Sequence, residues 1–413
     1  MKWMFAAFLL LSSVSIAEEP LSLEAALGAA YAKFPRLAAQ KDRMRAAESE
    51  VLSRATPSSP NVGVSQLNRG NSTLYATIEQ KIDFPTKYFL KAKAQGYRAD
   101  AEESDYEALR LHVRSNVITA YYGLHAVQQI IDLNQQDLSR LKEISRVTES
   151  KYASGKAPQH DQMKAHVAQT ETETKLIALR QEEQALQAKL GYFIAAGPDF
   201  QTNLRGRELS VPDVRSELEK IKLSDMAESP TIAKTKALTR AAETESSLTG
   251  WNFAPDFKVM YQHRVAGAPD NSHILGVSMT IPLWFWGNSS DSIAASARAS
   301  AARKELANAE SQVAADLRTL KYTLASDYEL YEIFRSSLIP QALSSYNSAM
   351  AAYRANRISF NDYLDSERSL LKVKIARLRT RSEYIANLVR FESMLGKVLS
   401  SLGQLSHATK EAK

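Results

Sequence analysis

Apolar residues in this chain recur with two different periods, and the period changes at definite places. Leu90, Ala94, Tyr97, Ala101, Ser104, Ala108, Leu111, Ser115, Ile118 and Tyr122 follow alternating spacings of four and three, the seam of a helix lying along other helices. Much of this seam is small, which lets neighbouring helices approach closely. Leu364, Leu371, Leu378 and Ile385 keep a seven-residue period in the last helix. Over 61–68 and 72–84 the period drops to two. Leu74, Ala76, Ile78 and Ile82 share one face of the second stretch while Thr73, Tyr75, Thr77 and Glu79 take the other. Arg69-Gly70-Asn71 supplies the turn of a β-hairpin, and a second strand pair is predicted over 256–264 and 273–283.

Between these hairpins the pattern predicts helices. One runs from Leu21, behind the N-cap Ser22, to about Ala55 and is ended by Pro57 and Pro60. A long one follows Pro85 to about Tyr152. After Gly155 and Pro158, placed as helix stop and helix start, another reaches Leu190. The second half repeats the plan, with a helix before Gly250, a long Ala-rich helix over about 288–355, and a final helix after the turn Arg357 to Phe360. At 1.5 Å per residue the long helices extend ~100 Å and the short ones ~50 Å. Two short helices end to end therefore match one long one, giving a cylinder wall of four rows with a β-element at each strand-to-helix corner.

The repetition is also literal. Pro35, the stretch Arg45 to Glu50, and Pro60 are answered by Pro230, Arg240 to Glu245, and Pro255 at a constant offset (230 − 35 = 195). Tyr152, Gly155 and Asp161 are answered by Tyr353, Asn356 and Asp362 (353 − 152 = 201), and Leu190-Gly191 by Leu395-Gly396 (395 − 190 = 205). An internal duplication follows. The first repeat spans 18–212, with a β-hairpin at 60–84 and a tip turn at 153–158. The second spans 213–400, with a β-hairpin at 255–283 and a tip turn at 355–359, and a polar tail covers 401–413.

Composition narrows the class. Lys2, the apolar Met4 to Leu11, and Ser15-Ile16-Ala17 read as a secretory signal over 1–17, with the mature chain starting at Glu18. The 413 residues contain no cysteine, which removes disulfides, thiol chemistry and lipid attachment at an N-terminal cysteine. No run of about 18 apolar residues occurs, so an exported chain of this kind is periplasmic, secreted, or in a membrane by way of strands. The net charge of +6 is spread over many acids and bases without like-charge runs, which gives no footprint for nucleic acid. All four strands are near the ~9–11 residues that cross a bilayer, yet four strands cannot close a barrel. If they enter a membrane, oligomerisation follows: two copies supply eight strands and a lumen filled by side chains, three supply twelve strands and room for a pore.

Trp251, Trp284 and Trp286 lie where the second hairpin meets its helices, and Phe84, Tyr88 and Phe89 hold the matching place in the first. Two readings stand side by side: an aromatic belt at the membrane interface, and a hydrophobic collar packing strand onto helix. The seven histidines assemble no site, no P-loop, nucleophile elbow or His-Glu metal motif occurs, and the chain is expected to be neither an enzyme nor a carrier of a cofactor or metal.

From Leu21-Ser22-Leu23-Glu24-Ala25-Ala26-Leu27 to Leu395-Gly396 the chain resembles the TolC-type outer-membrane efflux proteins. The resemblance rests on the duplication, on Ile281-Pro282-Leu283 followed by Gly287, and on the paired tips Tyr152-Ala153-Ser154-Gly155 and Tyr353-Arg354-Ala355-Asn356. Asp362-Tyr363-Leu364-Asp365 is similar to the acidic stretch just inside the closed tip of that family. Two departures are present: Asn356 stands where the family often has glycine, and Phe84-Pro85-Thr86 lacks a nearby glycine. The resemblance implies a mainly α fold with β: a coiled-coil-like α-helical barrel in the periplasm, joined to a twelve-stranded outer-membrane β-barrel completed by a homotrimer. It also implies an exit duct for efflux or type I secretion that opens when a periplasmic adaptor and an inner-membrane pump dock. Gly155, Lys156, Asn356 and Arg357 are then the docking tips. Asp362, Asp365 and Asp161 shape the constriction as an acidic ring, although Ser359-x-x-Asp362 is equally a helix-capping arrangement. The competing reading is a soluble periplasmic coiled-coil adaptor or structural protein.

Overall fold

The computed structural model describes residues 21–69, 71–155, 158–222, 225, 228–266, 272–281 and 285–402. The expected signal segment over 1–17, Lys156, Trp284 and residues 403–413 lie outside the described residues. The first helical stretch is two helices rather than one, α1 (Leu23–Lys33) and α2 (Pro35–Ala55). Phe34 between them is extended, with φ −68° and ψ 113°, because a proline pushes the residue before it out of the α region. Ser22 caps α1, its hydroxyl accepting from the Ala25 amide at 3.0 Å.

Strands β1 (Asn61–Arg69) and β2 (Asn71–Ile82) lead into α3 (Pro85–Ala153) and α4 (Gln159–Phe193). A short α5 (Arg215–Lys220) precedes α6 (Pro230–Gly250), then β3 (Asp256–Ala266) and β4 (His273–Thr280). The second long helix runs unbroken from α7 (Phe285–Ile333) through a wide π turn at Phe334–Leu338 into α8 (Ile339–Arg354), and α9 (Phe360–Leu395) returns. The rows lie side by side: α2 and α4, then α3, then α6 and α9, then α7 with α8. Among the described residues no helix is long and apolar enough to cross a membrane.

The π turn marks a shift between the halves. Buried Gln95, Ala99, Val113, Val117, Ala120 and Leu124 correspond to buried Ala295, Ala299, Val313, Leu317, Leu320 and Leu324 (313 − 113 = 200). Beyond the turn, buried Ser145 corresponds to buried Tyr346, and Gly155 to Asn356 (356 − 155 = 201). One extra residue is absorbed at Phe334–Leu338. Pro340 follows directly, and the widened turn relieves the clash and missing donor that proline brings to a helix interior.

The four strands form one antiparallel sheet in sequence order, with β2 joining β3 across the two halves. Register places Val62, Ile78, Tyr261 and Leu275 in one cross-strand row, and Ile82, Phe257 and Met279 in another on the same face. Gln66, Gln80, His263 and His273 interrupt this mainly apolar face. The opposite face carries Ser65, Thr77, Lys81, Lys258, Gln262 and Ser278, with Lys258 Nζ 2.8 Å from Glu79 Oε2. The two-residue alternation expected of β2 is thus the alternation observed. Val62, Val64, Leu275 and Val277 on the apolar face are exposed in the single chain.

The main core gathers at mid-length, where α1, α3, α7 and α9 enclose Leu27, Val117, Ile118, Leu190, Leu388 and Phe391. Three buried tyrosines on α3 and α9 pin loops there through their hydroxyls, which donate to carbonyls: Tyr121 to Leu21 at 2.8 Å, Tyr122 to Ser210 at 2.9 Å, Tyr384 to Pro212 at 2.7 Å. Arg114 is paired with fully buried Glu392, whose other oxygen accepts from the Leu399 and Ser400 amides at 2.8 and 2.6 Å. Arg114 also donates to the Leu402 carbonyl at 2.7 Å, so one buried pair ties the segment after α9 to α3.

Candidate functional site: the hairpin tips and the strand-to-helix corners

Both helical hairpins turn in the same way. Gly155 has φ 69° and Asn356 φ 54°, the left-handed conformation in which helices end, and asparagine reaches it where glycine would otherwise be expected. At the second tip Asn356 N–H donates to Tyr353 O at 3.1 Å and Arg357 N–H to Ala352 O at 2.8 Å, the paired bonds of a Schellman motif. At the first, Gly155 N–H donates to Tyr152 O at 2.9 Å. Gly155, Asn356 and Arg357 are all exposed.

Ser359 and Asp362 form a full capping box at the start of α9. Ser359 N–H and Oγ donate to Asp362 Oδ2 at 3.2 and 2.7 Å, and Asp362 N–H returns a bond to Ser359 Oγ at 3.2 Å. The capping role weighed for Asp362 is therefore present. Asp365, three residues on, is exposed on the same side of the helix. Asp161 lies in the first turn of α4, near Tyr353 of the other hairpin. Burial, and then the Asp161 charge, hold the Tyr353 hydroxyl above its usual range.

The two hairpins are laced together just behind the tips by residues that sequence reasoning missed. Lys151 Nζ donates to Asn356 Oδ1 at 2.8 Å and sits 4.3 Å over the Tyr353 ring. Lys164 Nζ donates to Asn361 Oδ1 at 2.8 Å, and Arg368 pairs with Glu171 at 2.8 Å. Inside this rim, Tyr346, Tyr353, Phe360 and Tyr363 stack in a small core with Leu141, Ala165 and Ala168 of the first hairpin. Deeper still, Arg140 approaches Glu367 at 3.5 Å. Glu367 had a signal in the sequence, an acid occupying a seam position of α9 between Phe360 and Leu378, whereas the partners of Lys151 and Lys164 become visible only once the hairpins lie side by side.

At the opposite end of α3, Phe84 stacks on Trp251 with ring centroids 5.3 Å apart and 18° between planes. This is a collar joining the corners of both β-hairpins. Trp251 is still 38% exposed and Trp286, in the first turn of α7, 58%. The first corner, which lacks a glycine, is held by charge: Asp256 accepts from the Phe84 amide at 3.2 Å and from Lys87 Nζ at 2.7 Å, while Lys91 and Lys81 flank Asp83 at 2.6 and 3.0 Å. Among the described residues no group of three or more histidine and acidic side chains is placed to hold a metal ion.

Residues 225–397 match the family model described as outer membrane efflux protein. The cobalt-zinc-cadmium resistance protein CzcC of Cupriavidus metallidurans is 21% identical over 385 residues, covering 92% of this chain and 90% of CzcC. The outer-membrane channel OprN superposes with a TM-score of 0.80 at 15% identity over 91% of this chain and 90% of its own. The CmeC outer membrane channel of Campylobacter jejuni superposes with a TM-score of 0.78 at 16% identity over 96% and 93%.

Proposed function

We propose that three copies of this chain form the exit duct of an efflux or type I secretion system, a reading supported by the match of residues 225–397 to the outer membrane efflux protein model. The observation that carries this is the sheet: one apolar face, one polar face, and unpaired outer edges at β1 and β4. Hydrocarbon tolerates no open edge, and twelve strands close into a barrel with a polar lumen, whereas a soluble adaptor has no use for an exposed apolar sheet face. The helical rows support the same assembly. Met163, Val167 and Ile177 on α4, and Ile293, Leu330, Ile333 and Leu343 on α7 and α8, leave exposed apolar residues on the two outermost rows, where neighbouring copies would meet. With an internal duplication behind the two halves, a trimer has six similar staves.

In this reading the strands sit in the outer membrane with Phe84, Trp251, Trp284 and Trp286 at its inner interface, and the helices extend into the periplasm. A periplasmic adaptor and an inner-membrane pump engage Gly155, Lys156, Asn356 and Arg357. Asp365, with Asp362 and Asp161, makes the constriction acidic and favours cations. The name of the Cupriavidus relative makes cobalt, zinc and cadmium cations the first cargo to test in a deletion strain. The deciding experiment is fractionation followed by mass measurement in detergent and conductance in planar bilayers: outer-membrane trimers that conduct are expected, and a soluble monomer overturns the reading.

A further inference from the structure

Glu367 is 3% exposed, and neither of its carboxylate oxygens accepts a well-formed hydrogen bond. The Tyr363 hydroxyl, on the same helix α9, faces the carboxylate as a donor that favours its charged form, and Tyr346 of α8 lies tilted against the Tyr363 ring with centroids 6.1 Å apart. From α3 come Asp137 and Arg140, the Arg140 Nε lying 3.5 Å from Glu367 Oε1 without hydrogen-bonding geometry. Asp137 is itself buried and accepts from Thr172 Oγ1 of α4 at 3.4 Å. Lys175 of α4 and Arg368 of α9 act on Asp137 from farther off, and Arg368 is already paired with Glu171. Two buried carboxylates thus share the field of one guanidinium, which lies within 4 Å of Glu367 alone. A buried charge without a partner is costly, so the cluster balances when one carboxyl keeps its proton.

We propose that Glu367 holds this proton and that each chain therefore carries a proton-binding site which fastens the second hairpin to the first when occupied and loosens it when empty. The proposal rests on reading the tips as the gate of a duct. Burial, and then the Asp137 charge, push the Glu367 carboxyl up to about 7, and burial lifts Asp137 as well. The direction follows. The closed tip binds the proton more tightly than an open tip in which Glu367 meets water, so acid favours closure and opening releases one proton per chain. Between the ordinary glutamate value of ~4.3 and about pH 7 the opening equilibrium shifts by about tenfold per pH unit for each chain, flattening on either side of that window.

The full-length protein in planar bilayers tests this between about pH 5 and 8.5. Opening is expected to rise with pH and level off above neutrality, and Glu367→Gln, which keeps the shape of the neutral acid, is expected to stay closed and lose the pH response. A wild-type pH response in Glu367→Gln overturns the proton site. Infrared spectroscopy on the same preparations reads the proton directly. A protonated-carboxyl band at neutral pH that vanishes in Glu367→Gln is expected, and its absence from the wild type overturns the proposal. A protein that conducts in neither form overturns the duct reading, with the infrared band still deciding where the proton resides.

Discussion

Gly396 ends α9 with φ 84°, and a Cβ placed there meets Glu228 O at 2.6 Å and Pro230 Cδ at 2.9 Å. Neither neighbour is the free end of a flexible side chain: one is a backbone carbonyl, the other a proline ring that opens α6. Gly396→Ala therefore carries two costs. A left-handed conformation costs an L-residue ~1–2 kcal/mol, and forcing packed backbone aside adds ~1–3 kcal/mol, so a loss of ~2–5 kcal/mol is expected. Gly155 separates the two contributions, since its φ is 69° but a Cβ there meets nothing within 4 Å. Gly155→Ala is expected to lose only the conformational share, ~1–2 kcal/mol. Far-ultraviolet circular dichroism melts of the detergent-solubilised protein compare them. The Gly396 variant should melt below the Gly155 variant, and a Gly396→Ala protein melting at or above Gly155→Ala refutes the argument.

Glu392→Ala strands the Arg114 guanidinium and leaves the Leu399 and Ser400 amides unpaired, with an expected cost of ~3–5 kcal/mol read as early proteolysis of the segment after α9. His125 is fully buried, and burial, aided by the Arg381 charge, holds its imidazole below the ordinary 6.5 against the bond to Arg207 O. Its contribution to stability is complete above pH 6.5 and is lost as pH falls from there toward the lower folded value, so a His125→Gln variant should show a weaker loss of melting temperature on acidification. Neutralising Asp362 and Asp365 together to Asn should lower cation selectivity in bilayers. An unchanged reversal potential counts against the acidic ring.

Much of this architecture was legible because long helices and half-exposed strands write their period into the sequence. The alternation from Thr73 to Ile82 named both faces of β2, and Gly155 and Asn356 named both turns. Local competition was less legible. The helix expected from Leu21 to Ala55 breaks at Phe34 because Pro35 constrains the residue before it, a two-residue effect that a seven-residue pattern does not register. The lacing of the tips was invisible for a different reason. Lys151 and Asn356 are ordinary surface residues until α3 and α8 end at the same height, and their pairing depends on two long helices keeping matched lengths. Glu367 lies between these cases, since an acid in an apolar seam is visible as an anomaly, but only the fold shows that Asp137 and Arg140 arrive beside it.

The π turn at Phe334–Leu338 makes the two long helices mechanically unequal. An extra residue in an unbroken α-helix would turn everything beyond it by about 100° and point Tyr346 and Tyr353 away from the first hairpin. Storing that residue in one loose turn keeps both ends in phase and concentrates the compliance of the whole strut at a single height. Torque applied at the second tip is therefore expected to twist α8 about this joint, whereas α3, with no such joint, passes the same load straight up to the strands.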